Sequence, residues 1–265
     1  MSDGIIDPPG LEPGVAGKGE GPRRGSGLIV LCVLILVLAV VSCFGLDRYG
    51  KSSRRSGPAW RVGRDAVTPL VVASPEAAYR AWKAGGYRGR TVLYLADGWD
   101  RFDPNQFNEP ESHLAYPIKT YRIADRIESR FLEARTFLFL ATLQGIARRI
   151  VAVVSPENFV QASQAALLSK NARVTDTTVY VTHQGFPRWF TTLGGLPAQS
   201  EPVLLYVAAS AFRSYRPQEV LEALRRQGVQ SDAVILCSLA GDSGVSPAER
   251  LDLAEFAGLL KRGGA

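Results

Sequence analysis

The sequence predicts an α/β domain with three layers, in which a mostly parallel sheet lies between two layers of helices. Short apolar runs rich in β-branched residues alternate with helical patterns over residues 66–265, and this alternation is typical of parallel sheets covered on both faces. Three helical patterns open with a serine followed by a proline, a favoured pair at a helix start. With 265 residues, 46% of them hydrophobic and 21% charged, the chain can form one sizeable core.

The first 26 residues lie outside this domain. Residues 1–26 are rich in glycine, proline and charge and contain few bulky apolar side chains. Such a segment cannot bury enough apolar surface to offset the entropy lost on ordering. We therefore expect a disordered N-terminal tail.

The next segment, residues 27–46, is predicted to be a single transmembrane helix. It contains the uncharged run LIVLCVLILVLAVV, and about twenty such residues cross the roughly 30 Å hydrocarbon core of a bilayer. A second interpretation is a cleaved lipoprotein signal, because Val40-Val41-Ser42-Cys43 resembles a lipobox with Cys43 as the lipidated residue. Both interpretations predict a protein that is held at a membrane, and the first predicts that it contacts the lipid bilayer through residues 27–46.

Residues 47–65 are predicted to be a basic juxtamembrane linker. The excess of Arg and Lys after the span favours a cytoplasmic C-terminal domain by the positive-inside rule. The short tail with Arg23 and Arg24 before the span is also the pattern of a signal anchor that exports the C-terminal domain. The side of the membrane on which this single-pass protein places residues 66–265 therefore stays undetermined.

Within the domain, strands and helices are predicted in alternation. The strands cover residues 69–73, 91–96, 149–154, 177–182, 203–208 and 233–240. Helices start after Ser74, Ser155 and Ser246, and glycines at 85, 86 and 228 mark the ends of two helices. The longest helix is expected from Arg122 to Ala147, because Ile123, Ile127 and Phe131 recur at four-residue spacing.

The loops at the carboxyl ends of parallel strands usually form the functional edge of such a sheet, and few chemically active residues follow strands here. The candidates for pocket or partner contacts are Asp97, Trp99, Asn158, His183, Phe186 and Trp189. Two histidines, His113 and His183, occur in the domain, and no spacing of acids and histidines is typical of a metal site. The sequence therefore predicts no catalytic residue, no metal, no cofactor and no nucleic-acid partner.

Four segments in order carry a resemblance to a known family. They are VVASPEAAYRAWKAGGYRGRTVLYLADGWD, VVSPENFVQASQAALLS, TTVYVTHQGFP and, with the helices and strand after it, VLLYVAASAF. Together they span about Pro69 to Leu260 and resemble the arginase/deacetylase-like fold, specifically its UPF0489-type branch. In that family the first segment ends in an Asp-Ala-His-x-Asp motif, and the last begins with a strand that ends in Asp-Leu-Asp-Tyr-Phe.

The resemblance implies that the metal-binding positions of the family have been lost. Ala96, Gly98 and Asp100 stand at the ligand positions of the first motif, and Ala208 and Ser210 stand at those of the second. Only Asp100 keeps a ligand, so the manganese or zinc site that activates water in the family cannot assemble. The five positions are expected to be vestigial.

The resulting expectation is a membrane-anchored, noncatalytic relative of these metalloenzymes, a pseudoenzyme that acts as a scaffold or regulatory partner. Its partner would be another protein, such as an active metal-bearing relative, or a second copy of this chain. Two alternatives stay open. One is a metal-independent hydrolase or transferase that uses Asp97, Asp100, His113 or His183, and the other is an envelope sensor that binds a small ligand.

Overall fold

The structure, a computed structural model, describes residues 59–97, 132–134, 136–168, 172–183, 186–239 and 244–263. The predicted tail at 1–26 and the predicted span at 27–46, with Cys43, lie outside these ranges. Among the described residues, no helix combines the length and the apolar character that crossing a membrane requires.

The described part of the chain contains one mixed sheet of nine strands. The strands are β1 (Trp60–Arg61), β2 (Leu70–Val72), β3 (Arg90–Leu95), β4 (Ala147–Val153), β5 (Ala172–Val174), β6 (Thr178–His183), β7 (Phe186–Thr191), β8 (Val203–Ala208) and β9 (Gln230–Cys237). Their order is β1-β9-β8-β3-β4-β7-β6-β5, and β2 also pairs with β9. The pairings from β2 through β9, β8, β3 and β4 to β7 are all parallel. The expectation of a mostly parallel sheet is therefore confirmed.

Helices cover both faces of this sheet. They are α1 (Pro75–Ala84), α2 (Phe137–Leu143), α3 (Pro156–Leu167), α4 (Pro217–Arg226) and α5 (Pro247–Arg262), and a 3₁₀ helix spans Ala209–Arg213. Buried side chains of α1 and α2 pack on one face, and those of α4 and α5 pack on the other. This arrangement is consistent with the predicted three-layer architecture.

The three Ser-Pro pairs start helices as predicted. Ser74, Ser155 and Ser246 precede α1, α3 and α5, and each side-chain oxygen accepts a backbone N–H three residues later, at 3.2–3.4 Å. A proline follows each serine at the start of the helix, where its missing N–H leaves no partner unsatisfied.

The two central strands, β3 and β8, are buried along their whole length. Tyr94 and Tyr206 point to the α1 side, where their rings stack with centroids 5.2 Å apart. Trp82 of α1 is fully buried beside Tyr206 and Phe137. Aromatic side chains of this size contribute the largest share of buried apolar area per residue, so this cluster fixes α1 and α2 on the sheet.

The predicted helix from Arg122 to Ala147 is wrong in its described part. Helix α2 covers only Phe137–Leu143, and Ala147 already begins β4, where it pairs with Arg90. Gly145 interrupts the helix with φ of 66°, a left-handed conformation in which an α-helix cannot continue. Residues 122–131 lie outside the described ranges.

The predicted strand at residues 177–182 is present, but its expected direction is wrong. β6 pairs antiparallel with β7, and β7 runs parallel to β4. His183 therefore ends its strand at the amino edge of the sheet, opposite the edge where β3, β4 and β8 end. A short connection between β6 and β7, residues 184–185, causes the reversal, because parallel neighbours need a long crossover.

The sheet also begins inside the range that the sequence predicts as a linker, residues 47–65. Trp60 and Arg61 form β1 and pair with Ser231 and Gln230 of β9. Val62, directly after β1, is 1% exposed and belongs to the core.

Candidate functional site

The candidate site lies at the carboxyl edge of the sheet, where the adjacent strands β8, β3 and β4 end. Asp97 follows β3, Asn158 lies in the first turn of α3 after β4, and Ser210 lies in the 3₁₀ helix after β8. The three strands are neighbours in the sheet, so residues that are distant in the sequence meet at this edge. We name six residues at this edge the Asp97 cluster. They are Asp97, Asn158, Ser210, Arg213, Ser214 and Glu249.

The backbone of Asp97 is held from both neighbouring strands. Asn158 Nδ2 donates to the carbonyl oxygen of Asp97 at 2.5 Å, and it lies 3.5 Å from Oδ1. Ser210 Oγ accepts the N–H of Asp97 at 3.3 Å, and Ser210 is fully buried. Because buried polar groups are costly unless they are hydrogen-bonded, these contacts fix the backbone of Asp97 at the end of β3.

The carboxylate of Asp97 faces a guanidinium. Arg213 Nη1 donates to Asp97 Oδ2 at 3.1 Å, while its Nε donates to Glu249 Oε1, also at 3.1 Å. The Arg213 side chain is 42% exposed, whereas the two carboxylate side chains are 12% and 10% exposed. Ser214 Oγ donates to the second oxygen, Asp97 Oδ1, at 3.3 Å. The guanidinium of Arg213 therefore forms ion pairs with two carboxylates that are both nearly buried.

The electrostatics of the cluster favour the charged form of Arg213. Burial acts against that charge, but the hydrogen bond and attraction of Glu249, with those of Asp97, outweigh it and raise the pKa of the guanidinium. Glu249 Oε2 also accepts the N–H of Ser246 at the start of α5, where the helix dipole favours a negative charge. The cluster is therefore held by ionic contacts from three elements.

Tyr215 joins this edge to the ends of β4 and β7. Its hydroxyl donates to the carbonyl of Val154 at 2.5 Å and accepts the N–H of Leu193 at 3.3 Å. Burial raises the pKa of this phenol. The hydrogen bond from the Leu193 N–H acts in the opposite direction, and the negative charge of Asp97 raises the pKa further. The hydroxyl stays protonated at neutral pH and acts as a structural bridge.

The described residues at the expected metal positions do not fit a metal ion. Ala96 is 3% exposed and Ala208 is 1% exposed, and both methyl groups pack in the core. Ser210 supplies one oxygen, which already accepts the N–H of Asp97. No group of three or more histidine, cysteine, aspartate or glutamate residues in the described part of the chain is arranged to bind a metal. Gly98 and Asp100 lie outside that part.

The remaining predicted site residues do not join the Asp97 cluster. His183 and Phe186 pair with each other in the β6–β7 hairpin at the opposite edge. Trp189 lies within β7, where the guanidinium of Arg149 stands 4.1 Å from its ring centroid and Tyr180 packs edge-on at 5.1 Å. Trp99 and His113 lie outside the described residues.

Three members of the cluster were not found from the sequence, Arg213, Ser214 and Glu249. Glu249 carried a usable signal, because Ser246-Pro247-Ala248-Glu249 has the spacing of a capping box. Arg213 carried none, since a single arginine after an alanine-rich segment is common on protein surfaces.

The chain was also compared with known proteins. No family model, no curated protein and no solved structure matches it. The likeness to the arginase/deacetylase-like fold therefore depends on the sequence pattern alone.

Proposed function

We propose that this protein is a membrane-anchored, noncatalytic relative of the arginase/deacetylase-like enzymes, and that its domain acts as a scaffold or regulatory partner. The observation that carries the proposal is the hydrogen bonding of the Asp97 carboxylate. In the sequence this acid lies between two vestigial metal positions, Ala96 and Gly98. Its carboxylate oxygens accept hydrogen bonds from Arg213 and Ser214.

The chemistry of the cluster supports this proposal. A general base or nucleophile needs a lone pair that can reach a substrate. Both carboxylate oxygens of Asp97 already accept hydrogen bonds from protein donors, and the side chain is 12% exposed. The neighbouring Ala96 and Ala208 offer no donor atoms. A catalytic role would require Arg213 to leave and two carboxylates to lose their shared cation.

The geometry also weakens one form of the first alternative, a metal-independent hydrolase or transferase in which Asp97 and His183 act together. The antiparallel direction of β6 puts His183 at the amino edge of the sheet, whereas Asp97 and Ser210 lie at the carboxyl edge. A histidine that serves as a base must lie within hydrogen-bonding reach of its partner. This pairing is therefore not available in the described fold.

The partner expected for such a scaffold is another protein or a second copy of the chain, held near a bilayer by residues 27–46. Loops at the carboxyl edge are the usual functional surface of this class of sheet. An edge stabilised by ionic contacts would present a fixed surface to such a partner.

The first experiment measures metal content and turnover of the purified full chain. The protein is incubated with Mn²⁺ or Zn²⁺, dialysed and analysed by mass spectrometry, and it is assayed for deacetylase and ureohydrolase activity. We expect substoichiometric metal and no turnover. Stoichiometric metal together with turnover would overturn the proposal.

A second experiment tests the assignment to the family itself. The variant Ala96→Asp/Gly98→His/Ala208→Asp/Ser210→Asp restores the motif ligands beside Asp100. If the strands share the family's register, Mn²⁺ or Zn²⁺ should raise the melting temperature of the variant but not that of the parent chain, because the ion compensates buried carboxylates. A variant whose stability does not respond to either metal would contradict the assignment.

A further inference from the structure

Six basic residues surround the place where the described chain begins, at the amino edge of the sheet. Two lie at the end of β1 and in the loop after it, two in the last turn of α4 and two in the last turn of α5. They are Arg61, Arg64, Arg225, Arg226, Lys261 and Arg262, and all six are exposed. We name them the amino-edge basic patch.

Backbone contacts bring the three parts of the patch together. The N–H of Val62 donates to the carbonyl of Val229, and the N–H of Val67 donates to the carbonyl of Leu260, both at 2.9 Å. The loop between these contacts touches α4 so closely that a Cβ built on Gly63 would lie 3.2 Å from Cβ of Arg225. The charges are therefore held on a fixed surface.

These charges have no ionic partners within the described part of the chain. Nearby arginines do have them: Arg90 pairs with Asp232 at 2.8 Å, and Arg148 pairs with Glu201 at 2.6 Å. No ion pair among the described residues includes a member of the patch. Six acids lie next to members of the patch in sequence or on the same helices, namely Asp65, Glu219, Glu222, Glu249, Asp252 and Glu255. Asp65 accepts the N–H of Arg61 at 2.6 Å, and Glu222 is exposed on α4.

Helix dipoles explain only part of the patch. Arginine and lysine are favoured in the last turn of a helix, where they offset the negative end of the dipole. That accounts for the four residues on α4 and α5. Arg61 and Arg64 lie outside helices, and they add positive charge to a surface that is already basic.

The position of the patch along the chain indicates its partner. Trp60, 37% exposed, opens β1 beside the patch, and tryptophan favours the interface between headgroups and hydrocarbon. The predicted span ends at residue 46, and the twelve residues 47–58 reach at most about 40 Å when fully extended. Four of them are basic, Arg48, Lys51, Arg54 and Arg55.

We propose that the amino-edge basic patch docks on the anionic headgroups of the bilayer that anchors the chain. A polybasic surface near a membrane attracts acidic lipids, and the tether makes this contact intramolecular, so that a weak affinity is enough. The carboxyl edge, with the Asp97 cluster, then faces away from the lipid. This inference rests on the membrane anchor of the proposed function, and it does not depend on the proposed loss of catalysis.

The test uses the full chain reconstituted in nanodiscs and measures backbone hydrogen exchange of residues 60–67. One set of discs contains phosphatidylcholine alone, and the other contains about 30% phosphatidylserine, enough to give the surface a negative potential. We expect exchange to be at least about threefold slower in the anionic discs, and the difference to disappear at about 0.5 M salt, where screening is strong.

Charge reversal provides the matched control. Arg64→Glu/Arg262→Glu should abolish the slowing, whereas Arg80→Glu/Arg250→Glu, which changes two exposed arginines outside the patch, should retain it. Unchanged exchange in β8 shows that each variant is folded. Three results would overturn the proposal: equal exchange in both kinds of disc, equal loss in both variants, or slowing by duplex DNA but not by phosphatidylserine.

Discussion

The guanidinium of Arg213 donates to Asp97 Oδ2 at 3.1 Å and thereby joins the ends of β8 and β3, the two fully buried strands at the centre of the sheet. The same guanidinium contacts Glu249 at the start of α5. A single side chain thus connects the sheet edge to a helix on one of its faces. Its removal tests how much the Asp97 cluster contributes to the fold.

Replacing Arg213 by methionine should lower the free energy of unfolding by about 1–2 kcal/mol, because Asp97 and Glu249 would lose their shared cation while staying mostly buried. We expect no larger loss of unfolding free energy, because the Arg213 side chain is 42% exposed and water screens its contacts with the two carboxylates. Urea unfolding measures the change. In the control Arg148→Met, which removes an ion pair whose partners are 48% and 50% exposed, the loss should stay below about 0.5 kcal/mol.

Replacing Asn158 by alanine should destabilise the domain by about 1–2 kcal/mol, because the backbone carbonyl of Asp97 loses its side-chain donor. Gln164, exposed on the same helix, provides the control, and Gln164→Ala should change stability by less than about 0.5 kcal/mol. Thermal unfolding of the three proteins checks this. Equal melting temperatures would show that the contact adds nothing to stability.

Alkaline pH should destabilise the fold through Tyr206 and Cys237. Burial raises the pKa of both groups, and their mutual hydrogen bond and the nearby Tyr94 add to the effect for Tyr206. There is therefore a pH range in which the Tyr206 hydroxyl and the Cys237 thiol ionise in the unfolded chain but stay neutral in the folded state. Their contribution is therefore complete below the ordinary thiol and phenol values, about 8.5 and 10, and is lost as pH rises above them.

Above about pH 10 the free energy of unfolding should fall less steeply with pH in Tyr206→Phe than in the parent chain. The two slopes should differ by up to about 1.4 kcal/mol per pH unit. Near pH 7 the variant should lose little, because the thiol of Cys237 still donates to the carbonyl of Leu239 at 2.7 Å. Cys237→Ala serves as the control, since it should remove only the part of the loss that starts near about pH 8.5. Urea unfolding from about pH 7 to 11, which brackets both ordinary values, measures the slopes, and parallel slopes for parent and Tyr206→Phe would contradict the prediction.

A pair of glycines tests the packing beneath the amino-edge basic patch. Gly63 and Gly86 have similar left-handed φ values, 78° and 69°, but a Cβ at Gly63 would lie 3.2 Å from side-chain atoms of Arg225 and Leu221, whereas one at Gly86 would meet nothing within 4 Å. Gly86→Ala should cost about 1 kcal/mol, from backbone strain alone. Gly63→Ala should cost more, and equal losses in chemical unfolding would show that the loop can move away from α4.

Six of the nine strands in the described residues and the three Ser-Pro helix starts were predictable because their signals are local. The run at residues 203–208 coincides with β8, and each Ser-Pro pair starts a helix, because a cap needs only a few neighbouring residues. Strand direction is not contained in an apolar run. It depends on the length of the connection, and Gln184-Gly185 between β6 and β7 was a usable signal for a hairpin. The strand FPRWFT was not predicted, and it contains Pro187, a residue type that is unusual inside sheets.

The Asp97 cluster was only half predictable. Strand order brings Asp97, Asn158 and Ser210 to one edge, and the sequence placed each of them after a strand. The contact between Asp97 and Arg213 joins residues that are 116 positions apart, and no motif marks either partner. Such a contact becomes visible only when the neighbours in the sheet are known.

The strand order also determines when the domain can fold during synthesis. β3 pairs with β8 from Thr91↔Val203 onward, and β2 pairs with β9 at Leu70↔Ile235, so these two strands wait for partners that the ribosome makes much later. Sheets with such distant pairings fold slowly and expose apolar strands in the meantime. Truncation before β8 would therefore leave β3 with one uncovered edge, and we expect nascent chains of this protein to depend on chaperones until β9 has emerged.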